Sequence, residues 1–174
     1  MSLLGRGARG LVAGTFGTAA FDLWLFARYR QGGGDSGFVD WETSAGLTSW
    51  DDAPAPALLG KRLFEGVTGS KLAPDRARLV NNVMHWGYGL GNGVQYGLVA
   101  GRLGKPPIRY GIPFGAAVWG SDYVILPILK LYQPIWKYDA KTLANDLAAH
   151  LVYGLATATA FRALSKDRTE LSAS

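Results

Sequence analysis

The sequence predicts an all-α fold: a four-helix transmembrane bundle made of two tandem, parallel-oriented helix-pair repeats, with a long loop carrying a short amphipathic helix. Three observations predict it. Four apolar stretches, each near the roughly 20 residues that cross a bilayer, are bordered by charged residues. The 24 glycines of the 174-residue chain cluster inside those stretches, where a soluble helix avoids them and a membrane helix uses them for close packing. Two short residue patterns recur in the same order along the chain.

The first span runs from Leu11 to Ala27, between Arg6 and Arg9 before it and Arg28 and Arg30 after it. No small-x-small cleavage site follows, so it reads as a retained helix rather than a signal peptide. Residues 30–78 form the one long connection. Gln31 to Ser49 is rich in Gly, Ser and Asp and reads as irregular. After Pro54 and Pro56, Leu58, Leu59, Leu63, Phe64 and Val67 share one face with Lys61, Arg62 and Glu65 opposite. That stretch fits an interfacial helix on the membrane or a cap over the bundle mouth.

The second span, Leu79 to Gly101, holds Asn81, Asn82, His85, Asn92 and Gln95. It also holds Gly89, Gly93, Gly97 and Gly101, four apart and hence on one helix face, a glycine-zipper stripe against which another helix can pack closely. The third span runs from Tyr110 to Leu129 and the fourth from Leu143 to Phe161. The competing reading of the second span is a soluble Gly-rich loop.

At an offset of 100, Arg9, Asp22 and Arg30 fall on Arg109, Asp122 and Lys130. At an offset of 65, His85, Tyr88, Gly89 and Leu90 fall on His150, Tyr153, Gly154 and Leu155, and Asn81 falls on Asp146. The chain therefore reads as one membrane domain, 1–174. Repeat one covers about 9–101, repeat two about 109–164, and a polar tail 165–174. Basic residues are densest at the N-terminus, at Arg102, Lys105 and Arg109, and at Arg162, Lys166 and Arg168. The positive-inside rule then puts both termini in the cytoplasm.

Asp22 lies six residues before the end of span one and His85 six after the start of span two, each roughly 9 Å inside the same surface at 1.5 Å per residue. The repeat puts Asp122 and His150 at that level, with Tyr88 and Tyr153 one turn deeper and Asp146 and Asn81 one turn shallower. Ionisable groups at such depth face the bundle interior and mark a site or pathway. Three chemistries suit the layer. The Asp–His contacts can be interhelix glue, or a path for protons or a small solute. His85 and His150 can also ligate a b-type haem or, with the acids, a divalent metal.

The expected function is a multi-pass membrane conduit for protons or a small solute, with a non-enzymatic scaffold or accessory subunit as the alternative and a haem or metal protein as the second. The expected partners are the lipid bilayer and a second copy or another membrane protein. No basic face with interleaved aromatics suggests nucleic acid, despite a net charge of +5 and a pI of about 9.6. The absence of cysteine excludes thiolate chemistry. No nucleophile elbow or phosphate loop is present, so the sequence points away from an enzyme and names no catalytic residue.

With these residues in view, the chain resembles the YagU-like family of uncharacterised bacterial inner-membrane proteins. The likeness lies in a Gly-rich first helix (Gly10, Gly14, Gly17), a long Pro-containing loop, and a second helix opening with His85. It continues in a Gly-rich third helix (Gly111, Gly115) and a fourth with Ala149-His150-Leu151-Val152. The resemblance implies a cytoplasmic-membrane protein with a link to acid tolerance and no established chemistry.

Overall fold

The computed structural model describes residues 2–103 and 106–165. Lys105, Lys166, Arg168 and the tail beyond Ser165 lie outside the described residues. Among the described residues the fold is all-helical, with six α-helices joined by turns, four of them short 3₁₀ turns. Two of the helices, α1 (Leu3–Gln31) and α6 (Ala140–Leu164), are long and apolar enough to cross a membrane.

Each end has a local cause. The Ser2 hydroxyl accepts from the Gly5 N–H at 3.2 Å and starts α1 eight residues ahead of the span expected from hydropathy. Arg28 and Arg30 in the last turn complement the helix dipole. Hydropathy marked only the apolar centre of this helix, because its ends are built from capping and charge. The segment read as irregular contains one short helix, α2 (Phe38–Glu42). The Phe38 and Trp41 rings pack on Phe26 of α1 at centroid distances of 5.2 and 5.4 Å, a tertiary contact with no periodic signature in the sequence.

Helix α3 (Ala55–Thr68) starts at Pro54, with Pro56 in its first turn, and stops at Gly69, whose φ of 70° is left-handed. Helix α4 (Ala77–Ala100) and helix α5 (Gly111–Ile128) each follow a 3₁₀ turn. Asp139 caps α6 by accepting from the Thr142 N–H at 2.9 Å. Gly101, expected within the second span, lies in the turn after α4, where its Cα faces Arg6 and Phe161.

Across the bundle the order is α4, α1, α6, α5, with antiparallel neighbours; α3 lies on α4, and α4 and α5 hardly touch. Glycine sets the closest approaches. A Cβ on Gly14 would stand 2.8 Å from the Gly89 carbonyl oxygen and 2.9 Å from the Gly93 Cα. On the other side of the bundle, a Cβ on Gly154 would stand 2.9 Å from the Gly115 Cα. The α4 glycine stripe is thus filled by α1 of the same chain. The apolar core proper is small: Ala13, Tyr96, Ala100, Ala158 and Phe161. Large apolar side chains instead face outward on three long helices, among them Leu11, Phe16 and Leu23 on α1, Val83 and Val99 on α4, and Val124 and Ile125 on α5. Outward apolar surface of that extent is rare on soluble monomers.

Helix α3 covers the bundle mouth with one face and leaves apolar side chains exposed on another. Gly60 faces Val80 and Met84 of α4, and Ala55, Pro56 and Leu59 roof the bundle mouth. Leu63, Phe64 and Val67 remain exposed.

Candidate functional site

The acids and imidazoles sit in the half of the bundle that carries the long loop. Asp22 follows Thr18 by one turn on the inner face of α1 and is 2% exposed. Its Oδ1 lies 2.8 Å from His85 Nε2 on α4. Its other oxygen is buried and makes no hydrogen bond among the described residues. Glu42 of α2 adds a second carboxylate to this pair. Its Oε1 accepts from Trp86 Nε1 at 3.0 Å. Burial first, and then the charge on Asp22, push the Glu42 carboxyl above its ordinary value, against the opposing Trp86 hydrogen bond and the charge of His85.

The second pair likewise has a second acid, Asp146. His150 Nε2 lies 3.3 Å from Asp122 Oδ2, and Nδ1 lies 2.8 Å from the backbone carbonyl of Asp146. A carbonyl only accepts, so Nδ1 carries a hydrogen. The Tyr88 hydroxyl donates to Asp122 Oδ1 at 2.5 Å. Asp122 therefore holds α4 and α6 together from α5, where direct helix packing is thin. The Asp146 carboxylate stands 3.5 Å from His150 Nδ1. The Tyr153 hydroxyl donates to the Gly89 carbonyl at 2.6 Å and ties α6 to α4.

The two pairs meet around Phe21, whose ring centre lies 6.3 Å from the His85 ring and 5.0 Å from the His150 ring. Beside them is a cavity of about 290 Å³. His85, Tyr88, Asp122, Asp146, His150 and Tyr153 all line it, so six of the eight residues expected in the layer converge. Asp22 is not on its wall and backs His85 from behind. Asn81 departs from the expectation: its Nδ2 donates to Ser44 Oγ at 2.9 Å, which ties α4 to the long loop outside the cavity. The long loop supplies a nearer polar partner than the bundle interior does. Below the cavity, sharing Asn92 and Val118 with it, a second hollow runs between α4 and α5 past Gln95, Phe114 and Ser121.

No family model, curated protein or solved structure matches this chain. The site is read from its own chemistry. Among the described residues no group of three or more His, Cys, Asp or Glu side chains is arranged to hold a metal ion. Ligation by His85 and His150 through Nε2 would require both rings to leave their carboxylates.

Sequence reasoning missed Glu42, Phe21 and Tyr132. Glu42 sits in a segment without periodicity, and Phe21 was hidden among the apolar residues of α1. Tyr132 lies in the loop between α5 and α6 and lines the cavity. Burial and the charges on Asp146 and Asp122 push its hydroxyl up to about 12, so it stays neutral at physiological pH. The usable signal for Phe21 was its place next to Asp22.

Proposed function

We propose that the chain is a multi-pass membrane protein in which α1, α4, α5 and α6 all span the bilayer. The Asp/His layer then forms a path for protons or a small solute. Helices α4 and α5 are about 36 and 27 Å long at 1.5 Å per residue, the first longer than a hydrocarbon core of about 30 Å and the second within about 3 Å of it. Among the polar residues that lower their hydropathy, His85 and Asn92 on α4 and Asp122 on α5 line the interior cavity. The two helix pairs, α1 with α4 and α5 with α6, each carry one Asp–His contact, which supports reading them as tandem repeats with a His-x-x-Tyr-Gly-Leu string in common. Basic residues at the opposite end support cytoplasmic termini in an inner membrane, in keeping with the YagU-like resemblance.

The observation that carries the proposal is the Tyr88–Asp122–His150–Asp146 chain opening on a cavity in the bundle interior. A proton in the His150–Asp122 contact can sit on either partner, an arrangement that can accept and release a proton without moving a helix. The scaffold alternative loses its main support, since α1 fills the Gly89, Gly93 and Gly97 stripe.

The test is proton flux into sealed vesicles with a trapped pH-sensitive dye. The wild-type chain is expected to dissipate an imposed pH gradient. Asp122→Asn is expected to lose about tenfold of that rate, the weight of one charge-assisted hydrogen bond. Equal flux from wild type, Asp22→Asn and Asp122→Asn would overturn the proposal.

A further inference from the structure

The His150 side of the cavity at the long-loop end has a charge that can be counted, while His85, the other imidazole on the wall, is matched by Asp22 at 2.8 Å. His150 Nδ1 carries a hydrogen because its partner is the Asp146 carbonyl. The 3.3 Å contact of His150 Nε2 with Asp122 Oδ2 needs one further proton, on either partner, to be a hydrogen bond. If it sits on the imidazole, the ring is +1 and Asp122 and Asp146 are −1 each. If it sits on Asp122, the ring and Asp122 are neutral and Asp146 is −1. Both placements leave the same net charge of −1 in this group. Among the described residues no Lys or Arg lines the cavity. Arg62 of α3 donates to the Leu129 carbonyl instead of reaching in.

The rest of the wall is largely aromatic and apolar, with His85, Asn92 and Thr18 as its other polar members. Tyr88, Tyr132, Tyr153 and Phe21 line it together with Met84 and Leu126. Ring faces attract cations, more strongly where water is excluded. Several oxygens on the wall are already engaged with the protein, since the Tyr88 and Tyr153 hydroxyls donate to Asp122 and to the Gly89 carbonyl and Asp122 faces His150, whereas a bare Na⁺ or Mg²⁺ needs a full shell of oxygen ligands. The volume of about 290 Å³ corresponds to about ten water volumes, room for a ligand of up to about that many heavy atoms.

We infer that this cavity binds a small organic monocation, a primary alkyl- or arylammonium, with Asp146 as counter-ion and the tyrosine rings around its charged and apolar ends. The inference rests on the conduit reading and names its solute class.

The probe is n-butylammonium chloride, titrated into the purified full-length chain in detergent micelles and followed by calorimetry, with NaCl titrated in parallel. Saturable one-to-one binding of n-butylammonium is expected, with no saturable heat from NaCl. Asp146→Asn is expected to weaken binding about tenfold or more, from loss of the counter-ion. Tyr132→Leu is expected to weaken it several-fold while Tyr132→Phe retains it, because the ring face and not the hydroxyl makes the contact. The Phe and Leu variants share a lost hydroxyl, so their difference does not depend on fold damage from its removal. No saturable heat, equal binding of Na⁺, or unchanged affinity in both Asp146→Asn and Tyr132→Leu overturns the inference. Proton flux that needs Asp122, with no n-butylammonium binding, removes the solute class and leaves the conduit. Binding with no flux in any variant supports the site and removes the conduit.

Discussion

Placing a single methyl group on Gly93 tests the packing that holds the site together. A Cβ there would stand 2.5 Å from the Gly14 Cα and 2.7 Å from the Gly14 nitrogen, and would also press on the Gly10 carbonyl. Carbon atoms rest at about 3.5–4.0 Å, so α1 must retreat by about 1 Å. The obstacle is backbone, which cannot rotate away. A radial gap of 0.5–1 Å forfeits a quarter to a half of each contact along the α1–α4 seam. Overpacking of this kind costs about 1–3 kcal/mol, against about 1 kcal/mol gained from replacing Gly by Ala in a helix. The net expectation for Gly93→Ala is a loss of up to about 2 kcal/mol. A rigid retreat would also stretch the Asp22–His85 contact from 2.8 Å to beyond hydrogen-bond reach. Gly91, two residues away, provides the opposite case, since a Cβ there meets nothing within 4 Å. Gly91→Ala is expected to be neutral or to stabilise by up to about 1 kcal/mol. Unfolding in mixed micelles by SDS titration, followed by far-UV circular dichroism, measures both. Equal effects of the two substitutions, or a stabilised Gly93→Ala, would refute the close-approach account.

Two further predictions concern the hydrogen bonds around the layer. Tyr153→Phe removes the 2.6 Å bond to the Gly89 carbonyl at a buried position and is expected to cost about 1 kcal/mol in the same titration; a neutral result would mean that this bond does not join α6 to α4. The raised Glu42 carboxyl binds its proton more readily in the folded chain, so its contribution is fully present below the ordinary glutamate value of 4.5 and is lost as pH rises through the higher folded value. Glu42→Gln keeps an oxygen for Trp86 and is expected to flatten that part of the stability–pH profile, leaving the variant the more stable one at neutral pH. An unchanged slope would show that the Glu42 carboxyl is not raised in the folded chain.

How much of this was legible depended on whether the signal was local. The four long helices were readable to within a few residues at most ends because apolar runs, prolines and glycines act within one or two turns. Asp22 beside His85 and Asp122 beside His150 followed from equal depth on antiparallel neighbours. Asn81 failed the same logic, because depth along a helix does not say which way a side chain finds its partner, and Ser44 of the loop was nearer. Glu42 could not be found at all: its place against Asp22 depends on a Phe26–Phe38–Trp41 ring contact between segments with no shared pattern.

By itself the sequence determined an all-helical chain, the seam of glycines, and the level at which acids and imidazoles lie, because these depend on helix rise and on residue size. Only the tertiary structure decided that α1 and α6 occupy the middle, that α4 and α5 part to leave a cavity, and that α3 and Tyr132 close over it. Those outcomes depend on which faces meet across the bundle, a sum over contacts between distant segments that no stretch of sequence carries alone.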